Sequence, residues 1–261
     1  MSKKDDRRFE AQMHIADMNR RYARETADSV AQTILYQPGK ARNLVPQPPH
    51  GTSRPKVVVK PTDTVSAILD GAGHGRVCAL DFASYRHPGG GYANGSLAQE
   101  EAMCSESNLY NILDKHWTRF YEPNKSSLND SLYTDKAMLV PDVIFERGRA
   151  KAIADVIVCA APNIGAAKKN RVSDEECIQA LSERIEAVMK IAAQNEADYL
   201  VLGAYGCGVF KNDPEKVAEM FMRWLDGNPG YFKEVIFAIK PGGPNFGAFK
   251  DVFDAWQRGE I

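Results

Sequence analysis

Short β-branched or apolar runs at residues 56–60, 77–83, 155–160, 199–204 and 234–240 are separated by segments of helical character at 97–113, 173–194, 213–225 and 246–257. This alternation constrains the fold more than any other feature of the sequence. Strands joined through intervening helices pair in parallel, and a parallel sheet carries its crossover helices on its faces. The expectation is an α/β fold with a largely parallel sheet covered on both sides.

Ahead of the first run, residues 7–35 contain few breakers and place Met13, Ile15, Met18, Tyr22, Ala27, Val30 and Ile34 along an approximate helical stripe, which predicts a long helix or a helix pair. The Pro-rich stretch that follows, Gln37-Pro-Gly-Lys and then Pro46-Gln-Pro-Pro-His50, cannot continue a helix. Residues 1–50 are therefore expected to form a helical extension and connection packed on the core, and residues 51–261 the α/β domain. A chain of 261 residues, 44% of them hydrophobic, suffices for one large core. Residues 121–149 are irregular, polar and long for a simple connection, and are expected to be a substrate-side loop.

Charge and cysteine usage narrow the function. A formal net charge of -1 and an isoelectric point near 6.5 argue against a broad basic face for duplex nucleic acid, so an anionic ligand has to be held locally by backbone amides or a few side chains. Cys78, Cys104, Cys159, Cys177 and Cys207 are scattered and odd in number, suggesting reduced, mostly buried thiols and no disulfide framework or zinc knuckle. His14, His50, His74, His87 and His116 show no ligand spacing, so neither a metal nor another cofactor is expected. The charged opening has no apolar h-region after it, and no apolar run reaches the length of a membrane span. The expected setting is cytoplasmic, without a membrane partner, and the expected state is a monomer.

Two glycine loops stand between predicted strands and helices. The first spans residues 87–101, His-Pro-Gly-Gly-Gly-Tyr-Ala-Asn-Gly-Ser-Leu-Ala-Gln-Glu-Glu. Successive Gly89, Gly90 and Gly91 allow close approach of a ligand and positive φ. Ser96 and Gln99 have the spacing of a capping box, placing Glu100 and Glu101 at the helix start beside the glycines. The second spans residues 203–214, Gly-Ala-Tyr-Gly-Cys-Gly-Val-Phe-Lys-Asn-Asp-Pro, with Asp213 as N-cap and Pro214 in the first turn. Loops leaving the carboxyl ends of parallel strands meet in one crevice, and helix N-termini offer free amides to phosphate. Neither loop has the dinucleotide or P-loop spacing, and either alone can be a packing solution. Together they predict a site for a diphosphate. Cys207 is expected to pack at a strand end, Asn163 either to line the cleft or to terminate its strand, and Trp224 and Trp256 to lie in the core.

The run Gly89-Gly90-Gly91, seven residues, then Gln99-Glu100-Glu101 resembles the signature of poly(ADP-ribose) glycohydrolases. Residues 81–84 (Asp-Phe-Ala-Ser), 101–110, 141–143 (Pro-Asp-Val), 159–163 (Cys-Ala-Ala-Pro-Asn) and 206–210 (Gly-Cys-Gly-Val-Phe) resemble the shorter microbial branch. The likeness runs over residues 24–240. At two positions, His87 and Asp81, the branch usually has Asn. The resemblance implies a macrodomain-like, three-layer α/β/α fold with a mixed, largely parallel sheet, whose cleft binds ADP-ribose and ADP-ribosylated macromolecules. It makes Glu101 the catalytic acid and Glu100 the residue that orients the scissile ribose. It implies ligand contacts from Asp81, Gly89, Gly90, Gly91, Gln99 and Asn163, and from the second loop through Gly206, Cys207, Gly208, Val209 and Phe210.

Ordinary glycosidases set two carboxyls on opposite sides of the scissile bond, which adjacent Glu100 and Glu101 cannot do. Consecutive helical residues diverge by about 100°, so the pair divides the labour between acid and positioning. The mechanism implied by the resemblance has Glu101 protonate the departing ribose oxygen while a substrate phosphate assists the attacking water. A place early in a helix favours a charged carboxylate; neighbouring Glu100, burial under the ligand and the ligand's own charge oppose this. Two other readings share the pocket: a non-catalytic ADP-ribose reader, and a hydrolase of ADP-ribose linked directly to protein or nucleic acid.

Overall fold

A computed structural model describes residues 2–49 and 51–261; Met1 of the charged opening and His50 of the Pro-rich stretch lie outside the described residues. In chain order the elements are α1 (Lys3–Arg21), α2 (Ala23–Gln32), β1 (Ile34–Tyr36), β2 (Lys56–Lys60), α3 (Thr64–Gly71), β3 (Val77–Phe82), α4 (Gln99–Ser105) and α5 (Leu109–Lys115). Then follow the single turn α6 (Glu122–Asn124), β4 (Ala137–Arg147), β5 (Ala150–Cys159), α7 (Ile164–Ala167), α8 (Asp174–Gln194), β6 (Tyr199–Leu202), α9 (Pro214–Gly227), β7 (Glu234–Ala238) and α10 (Pro244–Arg258).

Among the described residues seven strands form one sheet in the order β1-β4-β5-β3-β6-β7-β2. Neighbouring pairs from β5 through β3, β6 and β7 to β2 are parallel, whereas β4 and β1 add antiparallel pairings. Side chains alternate between two apolar cores, as the two-residue period of a strand requires. On one face Cys78 and Leu80 of β3 pack with α8, α9 and α10 through residues such as Ile185, Phe221 and Phe253. On the other, Val77 and Ala79 pack with α3, α4 and α5 through Ile68, Met103 and Ile112. The expected three-layer α/β/α fold with a mixed, largely parallel sheet is therefore observed. Trp224 and Trp256 are both in the first core.

Several local expectations change. The extension is a helix pair, but its end forms β1, which pairs antiparallel with β4 at the sheet edge. The segment 121–149 is not one long loop, because β4 occupies Ala137–Arg147. Pro141 interrupts an otherwise apolar run and argues against a strand; the structure accommodates it at a bulge between Val140 and Val143, where Asp142 has φ 55° and its amide donates to Asp155 Oδ1 at 3.0 Å. The helix expected at 97–113 breaks into α4 and α5. There Ser107 Oγ donates to Met103 O at 2.6 Å, and Asn108 Oδ1 accepts the Ile144 amide at 2.9 Å, so polar side chains replace the helical ladder.

Candidate active site

The cleft opens where the loops after β3 and β6 leave the carboxyl ends of their strands. Its volume is about 780 Å³, within the size range of small-molecule sites. Gly90, Gly91, Gln99, Glu100 and Glu101 line one side, and Gly206, Gly208, Val209 and Phe210 come from the other loop. Asp81, Gly89, Cys207 and Asn163 are not part of the lining.

Gly89 and Gly90 adopt φ of 62° and 60°, in the left-handed region that side chains resist. Crowding adds to the requirement at Gly90: a Cβ there would stand 2.6 Å from Glu101 Oε1 and 2.8 Å from Glu100 Oε2. The loop folds back on itself through Tyr92 N to Gly89 O at 3.0 Å and Ser96 N to Gly91 O at 3.1 Å. Gly91 N donates to Glu101 Oε1 at 2.8 Å.

The capping box expected at Ser96 is absent. Ala98 is the N-cap of α4 and makes no side-chain cap bond. Gln99 is spent differently: its Oε1 accepts the Phe82 amide at 2.8 Å, and its Nε2 donates to Leu80 O at 2.8 Å and Thr64 Oγ1 at 3.2 Å. The β3–β6 ladder ends at Ala79, so Gln99 satisfies backbone groups of β3 that no strand pairs there. It fixes the first turn of α4 against the sheet, and with it the two glutamates.

Glu100 is 3% exposed; its Oε2 accepts the Ser84 amide at 2.7 Å, while its buried Oε1 has no partner among the described residues. Asp81 is fully buried beneath it, and neither of its oxygens has a partner among the described residues. Burial, reinforced by the charge of Asp81 and more weakly of Glu101, pushes the Glu100 carboxyl well above the usual carboxylate range, against the lowering effect of the Ser84 and Gly89 amides. Burial, with the charge of Glu101, does the same to Asp81. Glu101 is 8% exposed and lines the cleft. One of its oxygens is fixed by Gly91, and the other takes no hydrogen bond among the described residues.

In the second loop Gly206 has φ 71°, and a Cβ would meet Asn212 Nδ2 and lie 2.7 Å from Ala161 Cβ. Asp213 caps α9 by accepting the Glu215 amide at 3.0 Å, with Pro214 in the first turn, as expected. Cys207 is partly buried, its Sγ lies 3.6 Å from Tyr205 O, and burial pushes its thiol up to about 12. A nucleophilic thiolate is therefore disfavoured. Asn163 uses its Oδ1 to accept the Ala166 amide at 3.1 Å, capping α7 in place of lining the cleft.

Sequence reasoning missed an aromatic ladder beside the second loop. The Phe210 ring meets Tyr133 edge-on at 6.0 Å, and Tyr133 stacks on Tyr85 at 4.5 Å. Tyr133 has φ 60° and follows Asn129, Asp130 and Ser131, also at positive φ. A run of strained backbone is a recurrent feature of functional sites; here it touches the cleft only through the Tyr133–Phe210 contact, and none of these four residues lines it. The loop expectation for residues 121–149 pointed to this part of the chain without identifying Tyr133. Ser84, also missed, acts through its amide, which leaves no side-chain signal.

Among the described residues no group of three or more His, Cys, Asp or Glu side chains is placed to hold a metal ion. The arrangement offers two carboxyls on one helix turn, each held at one oxygen by a backbone amide and both on the same side of the cleft. That suits proton transfer to a bound leaving group on one side of a ligand, not attack from two sides.

No curated protein matches the chain. A family model described as microbial-type PARG, catalytic domain, matches residues 9–148. Among solved structures, poly(ADP-ribose) glycohydrolase from Thermomonospora curvata is 33% identical, with 95% of this chain and 100% of that chain covered and a TM-score of 0.83. The same enzyme bound to the inhibitor ADP-HPD is 33% identical over 95% of this chain and 99% of that one, with a TM-score of 0.82. Poly(ADP-ribose) glycohydrolase from Deinococcus radiodurans in complex with ADP-ribose is 30% identical over 89% of this chain and 98% of that one, with a TM-score of 0.79. By the family match over more than half its length and by these structural likenesses, the chain belongs to the microbial-type poly(ADP-ribose) glycohydrolases, a family of glycosidases.

Proposed function

We propose that the cleft takes the ADP-ribose unit at the scissile bond of poly(ADP-ribose), and that the chain hydrolyses the ribose–ribose O-glycosidic bond with Glu101 as general acid. The observation that carries this reading is the Glu101 carboxyl itself, held at one oxygen by the Gly91 amide and lining the cleft between the two glycine loops. Glu101 gives its proton to the departing ribose oxygen as the C1–O bond breaks, leaving an oxocarbenium ion on the distal ribose. Water adds to C1 and passes its proton to a substrate phosphate oxygen, from which it exchanges with solvent. Glu101 is reprotonated from solvent. Glu100, held by Ser84 and already favoured in its neutral form, orients the distal ribose through its hydroxyls.

Gly90, Gly91, Gly206, Gly208, Val209 and Phe210 are read as the ligand-contacting positions, since all line the cleft. Gln99 also lines the cleft, with its amide groups bonded to β3, and Asp81, Gly89, Cys207 and Asn163 act as structural neighbours. Residues 1–50 are read as an extension of a macrodomain-like domain spanning 51–261. The free thiols of all five cysteines fit a cytoplasmic setting.

Product analysis tests the proposal against the two other functions of such a pocket. Incubation with purified polymer is expected to release free ADP-ribose, while protein carrying a single ADP-ribose stays modified. Binding of polymer without release would make the chain a reader, and release from the singly modified protein would make it a different hydrolase.

A further inference from the structure

The glycine loop that presents Glu101 does not stand alone. Helix α1 touches it along one face, at positions 7, 11 and 14, which recur at helical spacing. Arg7 Nε donates to Gly95 O at 2.8 Å. Gly95 itself has φ 75° and lies so close to the helix backbone that a Cβ would meet Lys4 O and stand 3.1 Å from Arg8 N. One turn on, Ala11 is buried. At the next, the Tyr92 hydroxyl and His14 Nδ1 are hydrogen-bonded at 2.8 Å, with the rings edge-to-face at 6.2 Å. Burial holds the His14 imidazole below its ordinary value, despite the nearby Asp17, so the ring keeps an acceptor nitrogen at neutral pH.

These contacts bear on Glu101 through a short path. Tyr92 N and Gly95 N donate to Gly89 O and Tyr92 O, Ser96 N returns to Gly91 O, and Gly91 N fixes Glu101 Oε1. With four glycines between positions 89 and 95, the loop has high intrinsic conformational freedom. Helix α1 is anchored independently of it: Asn111 Nδ2 donates to Ile15 O at 2.9 Å, and Arg21 pairs with Glu146 at 2.6 Å. The loop is thus tied to an element that the core already holds. Neither Arg7 nor His14 lines the cleft, so neither touches the ligand site.

We infer that Arg7 and His14 are positioning residues for the reaction, acting through Gly95 and Tyr92 to keep the Gly91 amide, and hence the Glu101 carboxyl, in its proton-donating place. This rests on the reading of Glu101 as the acid. Misplacement of a catalytic group by about 1 Å can cost on the order of a hundredfold in rate, whereas much of the cleft lining, such as Phe82, Gly206, Phe210 and Lys240, lies outside the glycine loop that α1 holds.

The test measures kcat on polymer and Kd for ADP-ribose, well below each variant's melting temperature. Arg7→Ala combined with His14→Ala is expected to lower kcat by about tenfold or more, with a smaller loss of affinity. Tyr92→Phe keeps the ring and loses only the hydroxyl; it should show the same split, and adding His14→Ala to it should cost little more, because both remove one bond. His14→Gln retains a group that can donate to or accept from the Tyr92 hydroxyl and should recover most of the rate. If the double alanine variant does not fold, Tyr92→Phe and His14→Gln decide by the same split. A lower melting temperature with unchanged kcat, or equal losses of rate and affinity, overturns the inference. Glu101→Gln, run in parallel, separates the two levels: retained turnover there defeats the acid assignment, whereas an inactive Glu101→Gln beside fully active Arg7 and His14 variants defeats only the positioning role.

Discussion

Asp81 is the residue whose sequence position and structural position differ most in meaning. The family resemblance implied a ligand contact for it, yet its side chain shares the strand parity of Val77 and Ala79 and is buried under α4. Both faces of this strand are buried, so no alternation of polar and apolar residues shows which face position 81 takes. Burial raises its pKa in the folded chain, so the native state holds a proton that the unfolded chain releases near pH 4. Stability from this group is therefore fully present below the unfolded value and lost as pH rises toward the folded one. Asp81→Asn, neutral at every pH and nearly isosteric, should raise the melting temperature at pH 8 and change it little at pH 4. An equal change at the two pH values would contradict the placement. Gln99 carries the opposite lesson, since the motif identified it as important but its hydrogen bonds to β3 depend on where the neighbouring ladder ends.

At the scale of elements, the parallel strands and the cap of α9 were legible because they rest on local chemistry: apolar runs, and Asp213 before Pro214. Strand β4 and the break at Asn108 were not, because each depends on a partner far along the chain. The Pro141 bulge is tolerated through Asp155, and Asn108 leaves its helix to pair with Ile144. The two glycine loops look alike in sequence and differ in structure. Gly90 combines positive φ with crowding against two carboxyls, whereas a Cβ at Gly208 meets nothing within 4 Å among the described residues. Gly90→Ala should thus cost about 1–2 kcal/mol of stability from backbone strain alone and abolish turnover. Gly208→Ala should leave the melting temperature unchanged and weaken ADP-ribose affinity, since its side chain enters the cleft. Unchanged affinity in Gly208→Ala would remove that loop from the ligand site.

For the whole molecule, the sheet order brings the loops after β3 and β6 side by side, because these strands are direct parallel neighbours. Two sequence features separated by more than a hundred residues become two walls of one cleft. Their connection was inferable from the α/β pattern, and their orientation, with Glu101 lining the cleft and Asp81 beneath it, required the packing of α4. In the proposed mechanism binding falls to the walls and chemistry to one carboxyl. Glu101→Gln separates the two most directly, since glutamine keeps the shape and can still accept the Gly91 amide but cannot serve as an acid at neutral pH. Affinity for ADP-ribose, and the thermal stabilisation it brings by mass action, should stay close to the parent protein, while release of ADP-ribose from polymer should fall by about 10²–10⁴. Turnover near that of the unsubstituted chain, with binding intact, would contradict the assignment of Glu101 as the acid.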